Sequence, residues 1–121
     1  MIVAGFGCRT SATAASLRAA LAEAQHGLPP VTLLAAPQDK LPALEPLAQA
    51  LNLPSVGIAP DALAAIATPT HSAASLSARH VGSVCEAAAL AAAGPGATLI
   101  VGRCVSPDRM ATCAIAQGPT A

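Results

Sequence analysis

Apolar positions along the chain alternate between short β-branched runs and longer stretches spaced as on one face of a helix. Ile2 to Phe6 forms the first such run and ends in Gly5-Phe6-Gly7, after which Thr10 and Ser11 precede a long Ala/Leu segment. This pattern predicts strand, tight turn and helix. The helix carries Leu17, Leu21 and Ala24 on one stripe and stops at His26-Gly27, where glycine suits a C-cap and histidine the negative end of the dipole. Val31 to Ala35 predicts a second strand, and Pro37 to Lys40 a loop. Leu44, Leu47, Ala48 and Leu51 return at helical spacing, but Pro42 and Pro46 compete for the first turn, which puts the helix start between Leu41 and Glu45.

Ser55 to Ala59 predicts a third strand, and Pro60-Asp61 opens a brief helix through Ile66. Thr68 to Ser72 is a loop, and Ser72 to Arg79 one or two further helical turns. Ser83-Val84-Cys85-Glu86 has the form of a capping box at the head of an alanine helix that ends at Gly94-Pro95-Gly96. Thr98 to Val101 and Thr112 to Ala116 flank a Ser106-Pro107-Asp108 turn as a hairpin. Strands alternating with helices imply an α/β fold: a three-layer α/β/α sandwich with a mostly parallel, mixed sheet closed by a C-terminal β-hairpin. Right-handed crossovers gather Gly7 to Ser11, Pro37 to Lys40, Pro60-Asp61 and the start of the Ser83 helix on one rim, the default ligand site of such sheets.

Length and composition then narrow the picture. The 121 residues suit one domain, 1–121, and the chain is 54% apolar but only 1% aromatic, with Phe6 the sole aromatic residue. A core rich in alanine buries little area per residue, which leaves room for self-association. Six basic and six acidic residues are scattered rather than clustered, so no nucleic-acid face is expected. No signal-peptide pattern and no unbroken apolar run of spanning length occurs, so the expectation is a soluble, cytoplasmic protein that engages no membrane. Cys8, Cys85, Cys104 and Cys113 lack metal-ligand spacing; neither a metal nor a cofactor is called for, and the last three read as small buried thiols.

Helix N-termini facing one cleft, with Arg9 and Lys40 beside them, favour an anionic ligand. Gly5-x-Gly7-x-x-Thr10 lacks the third glycine of a dinucleotide fingerprint, and no Gly-Lys-Ser/Thr phosphate loop occurs. The two glycines serve either a tight turn or close approach of a ligand. No nucleophile elbow or triad is defined. Cys8 precedes a helix terminus and Arg9, both of which activate a thiol, and its alternative is a core role. Glu86 is either a capping residue or a general acid or base, and His71 and His80 are loop residues without an assigned role.

The Gly5-Phe6-Gly7-Cys8-Arg9 turn, the Ser83-Val84-Cys85-Glu86-Ala87-Ala88-Ala89-Leu90 helix and Arg103 to Ala116 around Ser106-Pro107-Asp108-Arg109 occur in an order that resembles the CobE/CbiG C-terminal family from Ile2 to Gln117. Lys40 looks like the lysine that the family often carries after its second strand, whereas Arg79-His80-Val81 departs from it by lacking a glycine before Val81. The resemblance implies a part in corrin-ring (cobalamin) biosynthesis, by the aerobic route for a stand-alone chain. The expected partner is a precorrin-type tetrapyrrole fringed with carboxylates, bound or carried through Gly5, Gly7, Cys8, Arg9, Thr10, Ser11, Lys40, Ser83 and Glu86. Two alternatives stand beside this: a hydrolase of a precorrin lactone, assisted by Cys8 or Glu86, and a non-catalytic docking partner of other cobalamin-pathway enzymes.

Overall fold

The computed structural model describes residues 1–25, 27, 30–66, 68 and 83–118. His26, His71, His80, the Ser72 to Arg79 segment and the Arg79-His80-Val81 departure lie outside the described residues. Strand β1 (Ile2–Cys8) is followed by helix α1 (Ala14–Ala24), β2 (Leu33–Pro37), a 3-10 turn (Gln38–Lys40) and α2 (Leu41–Leu51). Then come β3 (Ser55–Ile58), the short α3 (Pro60–Ala64), α4 (Val84–Ala93), β4 (Thr98–Val105) and β5 (Ala111–Gln117).

The five strands form one mixed sheet in the order β3-β2-β1-β5-β4. Parallel pairing joins β1 to β2 and β2 to β3, whereas β5 runs antiparallel to both β1 and β4. The sheet is thus the expected parallel half closed by a C-terminal hairpin. Strands β1, β4 and β5 extend further than the apolar runs suggested, because backbone pairing continues through Cys8, Val105 and Gln117, whereas β2 is shifted to Leu33–Pro37 and β3 stops at Ile58.

Alternation along β1 divides the core. Ile2, Ala4 and Phe6 share one cluster with Leu17, Leu21, Leu34, Leu44, Leu47 and Ile115, so α1 and α2 cover that face. Val3 joins Leu63, Ala87, Ala88, Ala89 and Ala116 on the other, beneath α3 and α4. The first face buries the large side chains, each contributing about 1.5–3 kcal/mol. The second places alanines where α4 crosses the sheet, with Ile58 and Leu63 to one side, which lets the helix and sheet backbones come close.

That closeness is set at Gly5. A methyl group there would lie 2.1 Å from the Cys85 carbonyl oxygen and 2.4 Å from the Ala89 nitrogen. Both atoms belong to the backbone of α4, so making room would mean lifting the helix off the sheet. Gly7 lies one pleat further along the same face, where an added Cβ would meet Thr112 Oγ1 at 2.8 Å and the Val84 side chain at 3.4 Å. The glycines therefore answer to helix-on-strand packing rather than to a tight turn alone.

Helix α1 starts later than the sequence pattern predicts, whereas α2 starts at Leu41, within the predicted range. Thr10 and Ser11 belong to a turn closed by the Ala12 N–H on the Arg9 carbonyl (3.0 Å), so the cap of α1 falls to Thr13. Thr13 Oγ1 accepts the Ser16 N–H at 3.2 Å and the Ser16 hydroxyl accepts the Thr13 N–H at 3.4 Å, a capping box of Thr and Ser. Helix α2 accommodates both prolines: Pro42 sits in the first turn and Pro46 inside the helix, both exposed, so the carbonyl that Pro46 cannot serve faces solvent. Asn52 ends α2 at φ 55°, a left-handed conformation that Asn tolerates.

Gly5→Ala is expected to destabilise the protein by at least the ~1–3 kcal/mol typical of an overpacked site, because the obstacle is backbone on both sides. Urea denaturation monitored by circular dichroism checks this, and an unchanged midpoint would mean that α4 does not rest on β1 as described.

Candidate functional site

The rim at the carboxyl ends of β1 and β2 is where the parallel half of the sheet meets the tip of the hairpin. Because Cys8 pairs with Ala111, the chain leaving β1 and the chain entering β5 adjoin, and the Arg9 N–H donates to the Met110 carbonyl at 2.9 Å. Arg9 Nε reaches the Arg109 carbonyl at 3.3 Å. Arg9, Thr10 and Ser11 are exposed, and Gly7 and Cys8 are half-buried behind them. Lys40 is half-buried at the N-cap of α2, beyond the carboxyl end of β2.

The hairpin tip is a polar knot. Asp108 Oδ1 accepts the Ser106 hydroxyl at 2.5 Å and the Met110 N–H at 3.1 Å, while its Oδ2 accepts the Ser16 hydroxyl at 2.6 Å. Ser106 Oγ in turn accepts the Ala111 N–H at 3.1 Å, and the Arg109 N–H closes the turn on the Ser106 carbonyl at 2.8 Å. These donors hold the Asp108 carboxyl below its ordinary range, the Ser106 hydroxyl contributing most, followed by Ser16 and the Met110 N–H. Ser16 lies in the first turn of α1, so Asp108 ties the hairpin to that helix and places a carboxylate at its positive end. The terminus of α1, expected to attract an external anion, thus faces an internal one.

At the head of α4 the expected Ser83–Glu86 capping box does not form. Ser83 occupies the N-cap with extended backbone but makes no side-chain cap bond; its hydroxyl lies 3.4 Å from Cys85 Sγ instead. Glu86, with no exposed surface, turns toward β4, where Oε2 accepts the Arg103 N–H at 2.9 Å. The reason lies in the register of the hairpin: Val101 opposes Ile115 and Cys104 opposes Cys113, so Gly102 and Arg103 together face the single residue Ala114. This β-bulge frees an N–H from the ladder, and the carboxylate takes it. Gly102 leaves the space, since a Cβ there would stand 3.2 Å from Glu86 Oε2.

The structure therefore brings Arg9, Thr10 and Ser11 to one exposed surface, with Lys40 at the head of the neighbouring helix, while Gly7 faces α4 and Cys8 the opposite side of the sheet. Gly5, Ser83 and Glu86 lie in the interior. Sequence reasoning named Arg109 only as part of a motif, although its contact with Arg9 spans 100 positions; only the pairing of β1 with β5 signals it. Among the described residues, no three His, Cys, Asp or Glu side chains gather as a metal would require, and no helix is long and apolar enough to cross a membrane. A groove of about 610 Å³ lies away from the rim, between the end of α2 and the start of β3, lined by Ala48, Asn52 and Ser55 among others.

All four cysteines are thiols. Burial pushes the Cys113 thiol well up and the Cys85 thiol up, the Ser83 and Thr112 hydroxyls partly offsetting the latter. Cys104, expected in the core, is half-buried at the edge strand; its thiol is also raised, by desolvation and then by the Glu23 charge.

The chain matches the family described as "Cobalamin synthesis G C-terminus" over residues 2–116. It is similar to the crystal structure of CobE, a protein from the cobalamin (vitamin B12) biosynthetic pathway, at 33% identity and a TM-score of 0.88, covering 100% of this chain and 92% of that one. It is also similar to the cobalamin biosynthesis protein chiG from Agrobacterium tumefaciens str. C58, at 38% identity and a TM-score of 0.77, covering 99% and 100% of the two chains. A longer Sulfolobus solfataricus chain, 18% identical and covered over 37% of its length, shares the fold at a TM-score of 0.75. None of the curated proteins matches the chain.

Two outcomes follow from this geometry. A carboxyl held down in the folded state stabilises the protein only while ionised, so the stability that wild type holds over Asp108→Asn should be full at neutral pH. It should shrink as pH falls below 3.8, the ordinary value, and vanish beneath the lowered folded one. Denaturation of both proteins across that range measures it, and a pH-independent difference would contradict the ionised knot. With a thiol reagent, Cys8 should label first and Cys104 more slowly, while Cys85 and Cys113 should react only on unfolding. Peptide mapping of the labelled protein gives the order.

Proposed function

Because the chain belongs to the CbiG C-terminus family of cobalamin biosynthesis proteins, we propose that it binds a precorrin-type tetrapyrrole at this rim and carries it between pathway enzymes. The observation that carries the reading is the exposed Arg9 guanidinium at the edge of the sheet. Its one hydrogen bond goes to a neutral carbonyl, and no described acid pairs with it, so its charge is available to a ligand. Precorrins are macrocycles fringed with carboxylates, which a guanidinium fork suits.

In this reading Arg9, Thr10, Ser11 and Lys40 contact the ligand's acidic fringe, and Gly7 and Cys8 support the end of β1 beneath them, one on each face of the sheet. Gly5, Ser83 and Glu86 act from beneath: Gly5 seats α4, and Glu86 fixes the β4 bulge beside it. The hydrolase alternative asks Cys8 or Glu86 to assist at the rim, yet Cys8 stands five residues before the Thr13 cap of α1, and the Glu86 carboxylate has no exposed surface and one oxygen engaged by a backbone donor. That geometry favours binding over turnover.

Purified protein mixed with hydrogenobyrinic acid should retain a visible chromophore through gel filtration. Exchanging Arg9 and Lys40 together for glutamine should weaken this binding at least about tenfold, allowing for solvent screening at an open rim, and leave the fold intact. Retention of full affinity would place the ligand elsewhere, absence of any bound chromophore would favour the docking-partner reading, and conversion of a precorrin lactone by the protein alone would favour the hydrolase.

A further inference from the structure

Arg9 and Arg109 are 100 positions apart in sequence but share one point on the rim, the Arg109 carbonyl, on which Arg9 Nε is anchored. Both are exposed. The sequence holds six acidic residues, all of them described, and none forms an ion pair with either arginine. The acid beside them, Asp108, spends its oxygens on Ser16, Ser106 and the Met110 N–H, so it balances neither guanidinium directly.

Two like charges rooted together without a counter-ion repel each other, and a shared anion relieves that repulsion. The backbone adds a second sign. Arg109 sits at φ 60°, in the left-handed region, where Gly or Asn is at ease and a longer side chain is not. The turn's own hydrogen bonds hold it there. Nothing in the folding of the hairpin calls for an arginine at that position.

We infer that Arg9 and Arg109 together form a paired-guanidinium site for a single carboxylate of the ligand. The hairpin tip thereby adds a cation to the rim, beside Arg9 from β1 and Lys40 at the head of α2. The inference rests on the tetrapyrrole-binding reading for its ligand, and on the contact between β1 and the hairpin for its geometry. A guanidinium presents two parallel N–H donors to a carboxylate, and two such forks can grip both of its oxygens. Lysine is a poorer substitute because it offers a point charge without the fork.

The test compares wild type with Arg9→Gln, Arg109→Asn and the double variant in titrations with hydrogenobyrinic acid at several salt concentrations. Asparagine is the chosen replacement at Arg109 because it tolerates the left-handed backbone, so its melting temperature should equal or exceed that of wild type. Each single change is expected to weaken binding about tenfold and to flatten the salt dependence. The double variant should lose less than the product of the two, since both forks hold one carboxylate. Wild-type affinity in Arg109→Asn, with the tetrapyrrole still bound by wild type, would overturn the paired site and leave the carrier reading standing.

If wild type binds no tetrapyrrole, the carrier reading falls and a small carboxylate decides the site. Titration with citrate, followed through the arginine Nε–Hε resonances, should move the Arg9 and Arg109 signals together with one common affinity, and added salt should abolish the shifts. Signals that stay in place, or that move with unrelated affinities, would overturn the inference.

Discussion

At Gly5 the backbone of β1 meets the backbone of α4 with no room for a methyl group between them, and the placement of most polar groups on that face follows from this contact. A helix seated this low can touch the sheet only through small residues, which accounts for Ala87, Ala88 and Ala89 having no exposed surface. It also sets Val84 against Gly7 and carries Glu86 within reach of β4. A bulkier residue at position 5 would lift the helix and separate Glu86 from the strand it serves.

The edge of the sheet shows why a buried carboxylate is tolerated there. The bulge in β4 leaves the Arg103 N–H without a ladder partner, and a buried carboxylate is tolerated only where such a donor reaches it. Glu86 supplies the acceptor from a neighbouring layer, and Gly102 supplies the space. Helix, bulge and glycine form one arrangement in which each element explains the others. The capping role suggested by the Ser-x-x-Glu spacing is displaced because the side chain has a partner that a helix in isolation lacks.

On the other face, α1 is anchored through Ser16 and Asp108 to the hairpin tip, and the same tip presents Arg109 beside Arg9. Charge at the rim is therefore divided. The exposed Asp108 carboxylate is spent on two hydroxyls and a backbone N–H beside the positive end of α1, whereas the two exposed arginines pair with no described acid. In the proposed binding mode an anionic ligand would meet arginine side chains here rather than the open end of α1.

The sequence by itself determined the order of strands and helices, the closing hairpin and the resemblance to a family of corrin biosynthesis, because apolar period, glycine placement and cap chemistry are local signals. Gly5, Gly7 and Arg9 could be singled out from the chain alone, as could the helix headed by Ser83. Only the tertiary structure decided what those residues do. Gly5 proved to be a helix seat because α4 lies 80 positions further on. Glu86 is turned away from its cap by a bulge that depends on strand register. Arg109 joins Arg9 because β5 pairs with β1, and neither half of that pairing carries a local mark of the other. Local propensity fixes what each segment becomes, whereas the contacts that give a side chain its work are made between segments, at distances along the chain that no pattern within a segment encodes.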